Sequence, residues 1–258
     1  MDKIEKGADF KMDVILISDA KDEKLRQITE VAIRSAGTRV NIIVVESNKE
    51  IYYDNVTTIH PVIPFNYNAY LNLGARAGAS DYILFGNNDL IFISDWSETI
   101  ISEMEKHGVV SASPLSPISN TESTFKISSG SVFGYEMMTR FCGWAFVWKR
   151  DFFNKVQGLD EDFAFWCADN SAIEQLKKHN EQHILVGSSL VQHMGGTTLK
   201  HLDSNLKYEY TVLGVEKFNK KFKVNLWEEE YLKRGRVKFP VPESVFVRLV
   251  RRVRNSLN

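Results

Sequence analysis

Three short apolar runs stand out early in the chain: Val14-Ile15-Leu16-Ile17, Ile42-Ile43-Val44-Val45 and Tyr82-Ile83-Leu84-Phe85. They are continuous rather than alternating, as expected of strands covered on both faces. Between them the period becomes helical. Leu25, Ile28, Ala32 and Ser35 share one face of a helix over 23–36, and Gly37 follows as its C-terminal stop. Tyr67 to Ala79 reads as a second, alanine-rich helix. Asp95 with Glu98 has the spacing of a capping box and predicts a third helix ending near His107-Gly108. Strands alternating with helices predict an α/β fold with a mostly parallel sheet flanked by helices.

The pattern changes after residue 110. Ser111 to Ser131 holds eight serines, two prolines and two threonines and reads as a mobile loop. Beyond it, Gly143 to Trp148 and Ile184 to Val191 read as strands. Asp151 to Val156, closed by Gly158, and Asn170 to Lys178 read as helices. These divisions predict one domain over 1–232, with halves at about 12–110 and 111–215, and a separate tail over 233–258. That tail carries eight Lys/Arg against one acid, Glu243. Phe246, Leu249, Val250, Val253 and Leu257 fall at helical spacing among its arginines. The tail either packs on the core, lies on an anionic membrane surface, or contacts nucleic-acid phosphates.

Composition narrows the class. The 258 residues, 43% of them hydrophobic, suffice for one sizeable core. A formal net charge of −1 gives the whole molecule no field for a polyanion. Two cysteines, Cys142 and Cys167, make neither a disulfide framework nor a thiolate zinc site, and both are expected to be small buried residues. No leader pattern and no run of about 18 apolar residues occurs, so a cytoplasmic protein is expected.

The candidate chemistry lies just past the apolar runs. Ser18-Asp19, Glu46-Ser47 and Asn87-Asn88-Asp89 follow the three in turn. In an open parallel sheet the ligand crevice lies outside the carboxyl ends of the strands, so these groups converge there. Residues of these types also begin ordinary loops and cap helices. Neither GxGxxG nor GxxxxGK[ST] occurs, so a bound diphosphate would need another counter-charge. A divalent cation on hard oxygen ligands is the natural one, and Asp89 is placed to hold it.

Three blocks together carry a family resemblance. The first is Asn72-Leu73-Gly74, then Ala79 to Phe85, then Asn87-Asn88-Asp89. The second is Gly143-Trp144-Ala145-Phe146, then Gly158-Leu159-Asp160-Glu161-Asp162-Phe163, then Asp169. The third is His193 in Gln192-His193-Met194-Gly195-Gly196. Their order over about residues 12 to 200 resembles family 2-type glycosyltransferases of the GT-A fold, with a galactosyltransferase-like acceptor half. The resemblance implies transfer of a sugar, with inversion, from a nucleotide-sugar (a UDP-sugar first) to an acceptor hydroxyl. It implies that Ser18, Asp19, Glu46, Asn72, Asn87 and Asn88 contact the donor. Asp89 and His193 would hold Mn²⁺ or Mg²⁺, and Asp169 would be the general base. Trp144 and Trp166 either fill the core or meet the acceptor, Trp166 lying three residues before Asp169; the acceptor would be a glycan or, as in phage-type enzymes, a hydroxymethylated DNA base.

Two positions depart from the family pattern. Asn87 stands where the first acid of a DxD motif is expected, and Ala168 where a Glu precedes the base. The amide brings no charge, so metal affinity should be low without nucleotide. A non-catalytic nucleotide-sugar or glycan-binding relative is the alternative that these departures motivate. A sugar nucleotidyltransferase is disfavoured, because Gly37-Thr38-Arg39 follows the first helix rather than the first strand.

Overall fold

The computed structural model describes residues 10–117, 130–195 and 212–226. The three apolar runs become β1 (Met12–Ser18), β2 (Asn41–Glu46) and, after the short β3 (Thr57–Ile59), β4 (Tyr82–Asn87). They are joined by α1 (Glu23–Ala36) and α2 (Tyr67–Ala77). The chain continues through β5 (Leu90–Phe92), α3 (Trp96–His107), β6 (Ser111–Leu115), β7 (Ser131–Phe133) and β8 (Ala145–Lys149). It ends in α4 (Arg150–Lys155), α5 (Ala168–Lys178), β9 (His183–His193) and α6 (Gly214–Phe222). The sheet order is β3-β2-β1-β4-β8-β6-β9-β5, with β7 also on β9. β3, β2, β1 and β4 run parallel to one another, and β8 runs antiparallel to both β4 and β6.

The continuous runs are explained by two cores, one on each face. Val14, Leu16, Val44 and Leu84 face α1 and α3, meeting Ala32, Trp96, Ile100 and Met104. Their neighbours Ile15, Ile43, Val45, Ile83 and Phe85 face α2, α4 and α5, meeting Leu71, Ala75, Phe152 and Leu176. A third, smaller cluster seats α6 on the start of α5 through Phe163, Cys167, Ala168, Val215 and Phe218. Both cysteines are buried, and neither is in a disulfide.

At the amino ends of the strands, buried Asp13 accepts from Asn41, from Ser80 twice, and from Arg150 Nη2 at 2.6 Å. Arg150 also donates to the carbonyls of Ala75 and Ser80. This fully bonded ion pair ties β1, β2 and the start of α4 together at the edge remote from the strand-end residues, as burial of charge requires.

Two sequence expectations are corrected. Asp95 adopts a left-handed conformation (φ 59°) and makes no side-chain cap. Its carboxylate and that of Glu98 lie 3.7 and 2.8 Å from Arg39 instead. The serine-rich stretch begins as the wholly buried strand β6, not as a loop. Its serines satisfy buried partners: Ser111 bonds His183 Nδ1 at 2.7 Å, Ser113 accepts from Cys142 N, and Ser116 from His193 N. Residues 118–129 and the tail at 233–258 lie outside the described residues. Among the described residues no helix is long and apolar enough to cross a membrane.

Candidate active site

The site is assembled by strand pairing. β5 turns back directly after Asn87-Asn88-Asp89 and pairs with the end of β9, opposing Leu90 to His193. Met194 N then donates to the Asp89 carbonyl at 3.0 Å, and Gly195 N to Asp89 Oδ2 at 3.1 Å. This register sets His193 Nε2 3.3 Å from Asp89 Oδ1. That oxygen is buried without a hydrogen-bond partner. An unpartnered buried carboxylate oxygen is costly and asks for an explanation such as an ion.

Trp144, at the start of β8, supports the histidine from one side. The two rings stack at 5.2 Å with an 8° interplanar angle. Trp144 is only 4% exposed and its Nε1 has no partner. It is therefore a wall behind His193 rather than an open acceptor platform.

Tyr67, the first residue of α2, stands at the centre. Its hydroxyl donates to Asn87 Oδ1 at 2.8 Å and approaches the Gly143 carbonyl at 3.4 Å. Asn87 Nδ2 is thereby turned toward His193 Nε2, 3.4 Å away. Burial foremost, then the negative charges of Asp169 and Asp89, push the Tyr67 phenol far above the usual tyrosine range. It is a permanent neutral donor.

Asp169 enters from the first turn of α5. Cys167, held left-handed at φ 65°, occupies the cap position without a side-chain cap bond. Asp169 Oδ1 accepts from Asn170 N at 2.9 Å, and its carboxylate presses on Gly143, where a β-carbon would collide with Oδ2. Asn87, Asp89, His193, Trp144 and Asp169 thus gather around Tyr67 and Gly143. Gly143 opens the second family block but carried no role in the sequence, and Tyr67 was missed there because an aromatic residue at a helix start looks like core.

The remaining site residues are placed elsewhere. Ser18 and Asn88 join a buried polar chain: Ser18 Oγ meets Thr29 Oγ1 at 2.9 Å and Tyr53 Oη at 3.1 Å, and Asn88 Nδ2 donates to Thr29 at 2.9 Å. Glu46 closes it, accepting from Tyr53 at 2.8 Å and from the backbone of Ala20 and Asn48. Burial pushes the Tyr53 phenol up to about 12, so it too remains a donor. Asp19 is exposed and pairs with Lys21. Asn72 is not at the strand-end crevice: it is fully buried and bonds both the N–H and C=O of Leu159, plus Glu161. It fastens the turn after α4 to α2. Trp166 packs against the α6 cluster, beneath Gly214.

The donor set fits a divalent ion only in part. Asp89 and His193 offer one oxygen and one imidazole nitrogen, a pair better suited to Mn²⁺ than to Mg²⁺. No group of three or more His, Cys, Asp or Glu side chains able to hold a metal occurs among the described residues. The other positions of a shell would have to come from ligand oxygens or water.

No family model matches the sequence, and no curated protein matches it. Solved structures do match in fold. The mannosyltransferase PcManGT from Pyrobaculum calidifontis, in complex with GDP-Man and Mn²⁺, superposes with a TM-score of 0.59 at 13% identity, over 86% of this chain and 69% of that one. The S. aureus protein TarS, in complex with UDP, superposes with a TM-score of 0.57 at 9% identity, over 87% and 75%. At such identities the likeness concerns architecture, and the architecture is of the GT-A type: a large mixed sheet flanked by helices.

Proposed function

We propose that this protein is a glycosyltransferase that moves a sugar from a nucleotide-sugar to an acceptor hydroxyl. The observation that carries the reading is the orphaned Asp89 Oδ1 facing His193 Nε2, beside Asp169, at the carboxyl edge of a GT-A sheet. The neighbours that share this architecture hold GDP-Man with Mn²⁺ and UDP. A divalent ion on Asp89 and His193 would supply positive charge to the departing nucleoside diphosphate. Asp169 takes the proton of the acceptor hydroxyl as its oxygen bonds to C1 and the C1–phosphate oxygen bond breaks. Direct displacement of this kind inverts C1. Gly143 lets the base approach, and Trp144 holds the His193 ring.

Ala168 bears on the non-catalytic alternative. It is 2% exposed and packs in the α6 cluster. A glutamate there would point into an apolar contact, and this packing supports reading the missing acid as a consequence of the docking of α6. The acceptor we favour is a glycan or a hydroxymethylated DNA base.

Thermal unfolding with a panel of UDP- and GDP-sugars tests the reading. A ligand at 100 times its Kd stabilises by about 2.7 kcal/mol. One donor should raise Tm in Mn²⁺, lose that effect in EDTA, and lose it in Asp89→Ala. If no nucleotide-sugar shifts Tm, or if the shift is indifferent to EDTA and to Asp89→Ala, the reading fails.

A further inference from the structure

The Tyr67 hydroxyl fixes which way the Asn87 amide faces, and that orientation decides how a cation can be held. Tyr67 donates to Asn87 Oδ1, which leaves Nδ2 directed at His193 Nε2. The same imidazole nitrogen faces Asp89 Oδ1. An amide presents either an oxygen or an NH₂ to one side, never both. With its oxygen engaged by Tyr67, Asn87 shows the cation only hydrogens, although it sits two residues before Asp89 at the end of β4.

Resting on the glycosyltransferase reading, we propose that Tyr67 is a positioning residue that withholds Asn87 from the cation, so that the ion binds firmly only together with the donor diphosphate. Two protein ligands are too few to retain a divalent ion in water. Diphosphate oxygens would supply the further ligands that such an ion needs. Once the ion occupies the His193 nitrogen, that nitrogen can no longer accept from Asn87 Nδ2. The amide hydrogens then turn to the nearest new acceptor, an oxygen of the incoming nucleotide. Asn87 is thereby a reader of donor oxygens rather than a metal ligand, and the cation and nucleotide enter as a unit.

Mn²⁺ binding to the full chain, followed by the electron-spin-resonance signal of the free ion with and without UDP or GDP, tests this without any turnover. The unsubstituted protein should bind Mn²⁺ at least roughly ten-fold tighter with the nucleoside diphosphate than alone. Tyr67→Phe releases the amide to turn its oxygen inward, and Mn²⁺ affinity in the absence of nucleotide should rise several-fold. The added substitution Asn87→Ala should abolish that gain. Asn87→Asp, which keeps Tyr67 and puts an anionic oxygen where Nδ2 lies, should raise it at least as far and serves if Tyr67→Phe does not fold. If Asp89→Ala loses the ion while neither Tyr67→Phe nor Asn87→Asp binds it tighter, the Tyr67 proposal is overturned and the cation site stands. If Asp89→Ala binds Mn²⁺ as the unsubstituted protein does, the cation site is wrong and the proposal falls with it.

Discussion

Asp169 and Gly143 show how much a single backbone position controls. The carboxylate lies against the Gly143 α-carbon, so that a β-carbon there would stand 2.7 Å from Asp169 Cβ. Gly143→Ala must therefore displace the base, whereas Asp169→Asn keeps its shape and removes its basicity. Both should lower turnover by roughly 10²-fold or more, the scale of a general base, with donor affinity little changed. Retention of kcat in Asp169→Asn would reassign Asp169 to a structural role at the start of α5. His183 is a second residue whose surroundings dictate its behaviour. Burial between Ser111, the Arg140 carbonyl and the Phe141 ring pushes its imidazole down to about 3. An unfolded chain takes up that proton near pH 6.5, so the folded state loses ground as pH falls below 6.5 and is unaffected above it. This one group should reduce stability by about 1.4 kcal/mol per pH unit through that window. Urea midpoints at pH 7, 6 and 5 would measure it, and a flat profile would mean that the imidazole titrates as it does in water.

At the scale of elements, apolar runs told strands from helices because β1, β2 and β4 are covered by α1 and α3 on one face and by α2, α4 and α5 on the other. What the sequence could not tell was the direction of polar side chains. Ser111, Ser113 and Ser116 looked like loop residues, yet they serve as hydrogen-bond partners inside and just after a buried strand. Asn72 sat in a stretch resembling the donor half, yet α2 points it at the Leu159 backbone. Asp89 and His193 were legible as strand ends, while Tyr67 was not, because its role depends on where α2 begins relative to β4. The two readings of Asn72 separate cleanly. Asn72→Ala strands a buried N–H and C=O of Leu159 and should cost about 2–4 kcal/mol, lowering the urea midpoint. Nucleotide-sugar binding by the folded protein should persist. Weaker donor binding at unchanged stability would return Asn72 to the donor site.

The whole molecule separates its charges by sequence. The chain holds 32 Lys/Arg and 33 Asp/Glu, and eight of the bases and one of the acids lie in 233–258, so residues 1–232 carry a net charge of −8. A body of that sign repels the polyanions that the tail would attract, and any affinity for DNA or an anionic membrane must therefore reside in the tail. We expect the intact protein to bind one such surface with strong salt dependence. Changing Arg248, Arg251, Arg252 and Arg254 to Gln should flatten the plot of log affinity against log salt by about 3 to 4 if the surface is duplex DNA. On vesicles containing an anionic lipid it should remove about 1 kcal/mol per arginine. In either case the donor-induced rise in Tm should survive, because the cation and base residues all lie between 67 and 193. Binding to DNA would direct the search for the acceptor to modified bases, and binding to vesicles to lipid-linked saccharides. If the intact chain binds neither and deletion of 241–258 lowers Tm, the arginine-rich segment is a packing element, and the acceptor belongs among free glycans.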